Sequence, residues 1–128
     1  MMVIVFVSSG LMLLWSYFGS KVQGLKEVAT LGAVQLINHK DAAIVDVRDQ
    51  KEYETGHLLN SKLIPLGTIK DRIGELEKYR EQPIVLVCAS GHRSKIAAAQ
   101  LKKQGFTQAY SLIGGVAAWR KADLPLEK

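Results

Sequence analysis

Apolar residues in this chain fall into one long block followed by several short ones. Residues 1 to 20 contain no Asp, Glu, Lys, Arg or His and include Val3-Ile4-Val5-Phe6-Val7 and Leu11-Met12-Leu13-Leu14-Trp15. Beyond them the pattern predicts short elements. Leu31, Val34, Leu36 and Ile37 recur at helical spacing, with Thr30 placed as N-cap. Ala43-Ile44-Val45-Asp46-Val47 reads as a strand, Lys51 to Thr55 as one or two helical turns closed by Gly56, and Leu63-Ile64 as an extended piece stopped by Pro65. Ile69, Ile73, Leu76 and Tyr79 predict a helix capped by Thr68. Ile84 to Val87 forms a continuous apolar run, and a helix follows it to Lys103, with Gly105 placed to end it. Ala109 to Leu112 gives a further strand, and Gly114-Gly115 turns into a last helix, Val116 to Lys121.

Strands and helices therefore alternate, which predicts an α/β fold with a parallel sheet flanked by helices. The run at 84–87 fits a strand buried on both faces. Ligands in such sheets bind at the carboxyl ends of strands. Cys88 and Asp46 both stand at or near such ends.

As a helix at about 1.5 Å per residue, residues 1–20 would span about 30 Å, the thickness of a bilayer core. Trp15 and Tyr17 lie near its end, where aromatic side chains favour the interface, and Lys21 follows. No Lys or Arg precedes the run and no Ala-x-Ala follows it, so an uncleaved anchor fits better than a signal peptide. The expected organisation is a transmembrane anchor over 1–20, a linker over 21–26 and one domain over 27–128. Lys21 and Lys26 on the far side of the run predict a single pass through the plasma membrane, with the domain in the cytoplasm.

The net charge is +5, but no basic stripe is interleaved with aromatic residues, which argues against nucleic acid as partner. One cysteine excludes an internal disulfide framework. With three scattered histidines it also predicts no metal site. Cys88 does have a chemically suggestive setting. It ends a buried strand and leads through Ala89-Ser90-Gly91-His92-Arg93-Ser94 into a helix. Gly91 permits positive φ, so successive N–H groups can turn inward, and the helix N-terminus adds its dipole. Arg93 supplies charge for an anion or a loop carbonyl, and Ser94 can cap the helix or donate to a thiolate. His92 can point to solvent or into the cradle. His57, Trp119, Glu52 and Lys51 read as structural or solvated positions.

This loop resembles the active-site loop of the rhodanese-like sulfurtransferases. The resemblance extends over nearly all of 27–128: Asp46-Val47-Arg48, Glu52-Tyr53, Gly56-His57-Leu58, Asn60-Ser61 and Ile64-Pro65 resemble the family's upstream signature, and Gly114-Gly115 with Trp119 its closing motif. With the anchor, the chain is similar to membrane-tethered, single-domain bacterial members. The resemblance implies a sheet of about five parallel strands, no cofactor, and a relay in which Cys88 takes sulfane sulfur from a small sulfur-donor anion or a protein persulfide. A thiol or other nucleophilic acceptor then discharges it. The resemblance also implies that Asp46 and Arg48 frame the pocket, although the residues alone favour Asp46 as a cap of the next element.

Ala89 departs from the family pattern, in which a basic residue is frequent, and this weakens the expectation of thiosulfate itself as donor. Related cysteine phosphatases place five residues between cysteine and arginine; here four stand between Cys88 and Arg93. The shorter loop makes a smaller cradle, suited to sulfur more than to a phosphoryl group. The alternative to a sulfurtransferase is a non-enzymatic adaptor subunit that binds a membrane-protein partner.

Overall fold

The computed structural model describes residues 25–128. The expected anchor lies outside the described residues, and among those described no helix is long and apolar enough to cross a membrane. The strands are β1 (Lys26–Val28), β2 (Ala43–Asp46), β3 (His57–Leu58), β4 (Lys62–Leu63), β5 (Ile84–Val87), β6 (Ala109–Leu112) and β7 (Leu126–Glu127). The α-helices are α1 (Thr30–Lys40), α2 (Gln50–Glu54), α3 (His92–Lys103) and α4 (Gly115–Lys121), and two 3-10 helices cover Leu66–Thr68 and Ile73–Tyr79. Five strands form a parallel sheet in the order β1-β6-β5-β2-β4, while β3 and β7 pair antiparallel beside it.

The alternation along β5 explains the layering. Ile84, Leu86 and Cys88 face a core completed by Ala97, Ala98 and Leu101 of α3, by Ile69 and by Leu76. Val85 and Val87 face the opposite core, with Ala33 of α1 and Val116 and Trp119 of α4. Helices cover both faces, so the central strand is apolar throughout, as its sequence suggested.

Four details differ from the sequence pattern. Lys26, read as linker, opens β1 and pairs with Tyr110 of β6. Thr30 is the first helical residue of α1; Ala29 is the N-cap and no side chain caps it. The β3–β7 pairing, His57 with Glu127 and Leu58 with Leu126, was not predicted because two-residue strands carry no period.

The fourth is the segment after Pro65, which forms two 3-10 helices instead of one α-helix. Ile73, Leu76 and Tyr79 are three residues apart, the repeat at which 3-10 side chains align, and Leu76 is fully buried. Gly67 and Gly74 lower the helical propensity on either side of Ile69. The Thr68 hydroxyl donates to the Pro65 carbonyl at 2.9 Å instead of capping a following helix.

Gly74 has negative φ and open space where a Cβ would stand. Gly74→Ala should therefore stabilise the protein by about 0.5–1 kcal/mol, chiefly by restricting the unfolded chain, and should raise the urea midpoint.

Candidate active site

Cys88 follows the central strand, at the carboxyl end of the sheet, and is 1% exposed. The chain turns at Gly91, whose φ of 107° belongs to the left-handed region and which serves as N-cap of α3. A Cβ there would press on the Gly114 amide at 3.3 Å. The turn aims the Gly91 N–H at Cys88 Sγ, 3.0 Å away.

The carbonyls of the loop are held on the other side. Val116 N–H donates to the Cys88 carbonyl at 2.9 Å and Ala117 N–H to the Ala89 carbonyl at 3.2 Å. Both donors belong to the first turn of α4, where N–H groups have no helical partner. Gly115, at φ 57°, brings that turn into contact, and a Cβ on it would fall on the Cys88 carbonyl oxygen. Gly114-Gly115 thus fixes the loop's peptide planes through the backbone.

Ser94 is fully buried below the sulfur. Its Oγ lies 3.5 Å from Cys88 Sγ, donates to the Gly91 carbonyl at 3.1 Å and sits 2.6 Å from Ser111 Oγ of β6. Because Ser111 can donate to Ser94, the Ser94 proton can serve either the Gly91 carbonyl or a thiolate. Burial pushes the Cys88 thiol up. Hydrogen bonds from the Ser94 hydroxyl and from the Ser94, Gly91 and Ser90 amides outweigh burial, so its pKa falls below the ordinary 9.0. An activated thiol results, and its anion is held by the Ser94 hydroxyl and by backbone dipoles of the loop.

Arg93 does not face the sulfur as an unshared charge. Its two terminal nitrogens donate to the two Glu52 oxygens, each at 2.8 Å. Arg93 holds the Glu52 carboxyl down at about 2 and is itself raised by it. Glu52 also accepts from the Asp49 N–H at 3.3 Å, in a reciprocal cap of α2. Glu52 was expected on a solvated face; its side chain is 35% exposed there, and what the sequence did not show is its pairing with Arg93. The Asp49-x-x-Glu52 capping spacing was visible in sequence, but nothing local pointed to Arg93, 41 residues away.

Asp46 and Arg48 form a buried ion pair. Asp46 accepts from Arg48 Nε at 3.0 Å, from Nη2 at 2.8 Å and from the Arg48 N–H at 3.0 Å. Arg48 Nη2 also donates to the Gly56 carbonyl at 2.7 Å. The carboxylate thus both closes the turn after β2 and anchors Arg48, which ties that turn to the far end of α2. Asp46 pairs in register with Val87, one residue before the cysteine.

The remaining loop residues lie at the rim: Ala89 is half-buried, and Ser90 and His92 are exposed. His57 is buried against Tyr53, its ring stacked at 3.7 Å and its Nδ1 at 2.9 Å from the Tyr53 carbonyl, in keeping with a structural place. Trp119 is core, its indole N–H donating to the Pro125 carbonyl at 3.0 Å. The reading of the sequence missed Ser111. A serine at an inward position of an apolar strand was the available signal.

The sequence model of the rhodanese-like domain matches residues 32–122. An uncharacterized protein, YibN, of Escherichia coli K12 is 36% identical over 110 residues, covering 85% of this chain and 77% of its own length. The thiosulfate sulfurtransferase GlpE of Pseudoalteromonas translucida is 35% identical over 97 residues, covering 76% of this chain and 90% of its own. A Rhodopseudomonas palustris protein, described as of unknown function and a possible tyrosine phosphatase, superposes with a TM-score of 0.74 at 28% identity, covering 82% of this chain and 86% of that one.

Two outcomes test the geometry. Ser94→Ala should move the midpoint of Cys88 alkylation to higher pH and cost about 1–2 kcal/mol in urea unfolding, because Ser111 loses a buried partner. Glu52, with its folded pKa depressed, stabilises the fold fully above its ordinary 4.5. That contribution should fade as pH falls from there towards about 2. A carbon-13 titration of its carboxyl should show a midpoint near 2, and Glu52→Gln should flatten stability over this window.

Proposed function

The chain belongs to the rhodanese-like domain family, and we propose that it is a sulfurtransferase in which Cys88 carries sulfane sulfur between two substrates. The Sγ thiolate attacks the terminal sulfur of a donor. A sulfur–sulfur bond forms, the donor's own bond to that sulfur breaks, and the remainder leaves with the electron pair; from thiosulfate this is sulfite. An acceptor nucleophile then attacks the outer sulfur of the persulfide, and Sγ departs as thiolate. The observation that carries this reading is the Gly91 N–H, 3.0 Å from Sγ, with the Ser94 hydroxyl 3.5 Å away. The same donors can hold the negative charge of thiolate and persulfide.

Donor chemistry follows from charge. Ala89 offers no cation, and Arg93 is shared with Glu52, so the loop from Cys88 to Ser94 presents no unshared fixed charge to a small dianion. A polysulfide or a protein persulfide is the better-matched donor, with a thiol the natural acceptor. Four residues between cysteine and arginine favour sulfur over phosphoryl transfer, as the loop length suggested. The apolar sequence of residues 1–20 supports a tethered enzyme at the plasma membrane with its domain on the cytoplasmic side.

Incubation with polysulfide or a persulfide-bearing protein should add about 32 Da to the protein at Cys88. Thiosulfate should react more slowly, and Cys88→Ser should abolish the adduct. Intact-mass spectrometry showing no adduct from any of the three donors would overturn the assignment.

A further inference from the structure

The five parallel strands give the domain two poles. Cys88 lies at the carboxyl pole. The amino pole holds the starts of the strands and, because each connection returns the chain there, the ends of α1, of the second 3-10 helix and of α3. Basic residues are favoured at the last turn of helices, and this topology gathers three such ends on one face. Lys26, Lys40, Lys78, Lys102 and Lys103 are exposed there. Of the nearby carboxylates, Glu77 is held by Arg80 at 2.7 Å, Glu75 by Lys62 at 2.9 Å and Glu27 by Lys95 at 3.8 Å, which leaves Asp41 and Glu81. At the carboxyl pole the pairs Asp46–Arg48 and Glu52–Arg93 are internally neutral. Five exposed lysines against Asp41 and Glu81 make the pole opposite the cysteine net positive.

The same pole receives the chain from residues 1–20. Only residues 21–25 separate that uncharged stretch from Lys26, a span of at most about 22 Å from residue 20 to Lys26. Attraction between lysines and an anionic leaflet acts over a Debye length of about 8 Å at physiological salt, and a tether this short holds the pole near that range. We infer that the amino pole docks on an anionic lipid surface, so that Cys88 faces the aqueous phase. The inference rests on the tethered reading of residues 1–20. With a domain depth on the order of 30 Å, donor and acceptor would reach the thiol from solution or on a projecting partner, not from the lipid plane.

The test uses the full chain reconstituted in vesicles of phosphatidylcholine alone or mixed with phosphatidylglycerol. A membrane-impermeant acylating reagent then reports each lysine by mass spectrometry. With phosphatidylglycerol, Lys40, Lys78 and Lys103 should react roughly threefold or more slowly, and about 1 M salt should remove the difference. Lys51 and Lys95, at the cysteine pole, should be indifferent to lipid. The double variant Lys40→Glu, Lys103→Glu should lose the lipid dependence and keep sulfur transfer. Equal rates in both lipids, or protection of Lys51 and Lys95 instead, would overturn the docking. Flotation with neutral vesicles reports the tether separately. A chain that floats only with phosphatidylglycerol vesicles, protected at the same lysines, supports the docking and removes the tether.

Discussion

The site depends on two backbone hydrogen bonds, from Val116 and Ala117 in the first turn of α4 to the carbonyls of Cys88 and Ala89. A peptide plane has two polar ends, and fixing its carbonyl fixes the direction of its N–H. With the Cys88 and Ala89 carbonyls drawn towards α4, the peptide planes that lead to Ser90 are held, and the next amide, that of Gly91, meets the sulfur at 3.0 Å. The helix N-terminus, which in other folds receives an anion directly, here organises a second set of donors that does so. Glycine at 115 is required because the two backbones approach more closely than a Cβ allows, and glycine at 91 by its φ of 107°.

Ion pairs brace this arrangement from the side. Asp46–Arg48 spans the turn after β2 and reaches the Gly56 carbonyl, while Glu52–Arg93 joins α2 to the start of α3. Asp46–Arg48 is buried, where charge is costly unless its hydrogen bonds are satisfied, and Glu52–Arg93 is partly exposed; each pair uses both carboxylate oxygens. The price of this bracing is that Arg93, the one fixed cation of the loop, is shared with a carboxylate. Activation of the thiol consequently falls to neutral groups: amides and the Ser94 hydroxyl. Such a cradle stabilises a charge of one unit well and offers little additional attraction to a second.

The central features were legible in the sequence because they are local. An apolar run ending in cysteine, a glycine three residues on and a helix after it define the loop without reference to the remainder of the chain. The strands β2, β5 and β6 were legible for the same reason. What escaped depends on distant partners. Glu52 has no visible partner until α2 is placed beside Arg93. The 3-10 segment looks α-helical until its glycines and its spacing of three are weighed against packing on Leu76. Strand β1, Lys-Glu-Val, has no period at all and exists because β6 offers it an edge.

That last pairing affects how the molecule is made. Lys26 pairs with Tyr110, so the first strand of the sheet waits for one of the last. At cellular synthesis rates the delay is on the order of ten seconds, during which a strand with bare polar edges would invite pairing with other chains. A strand of three residues that begins with lysine and glutamate is a poor template for such pairing. The composition that conceals β1 from a reader of the sequence also keeps a nascent chain from finding the wrong partner.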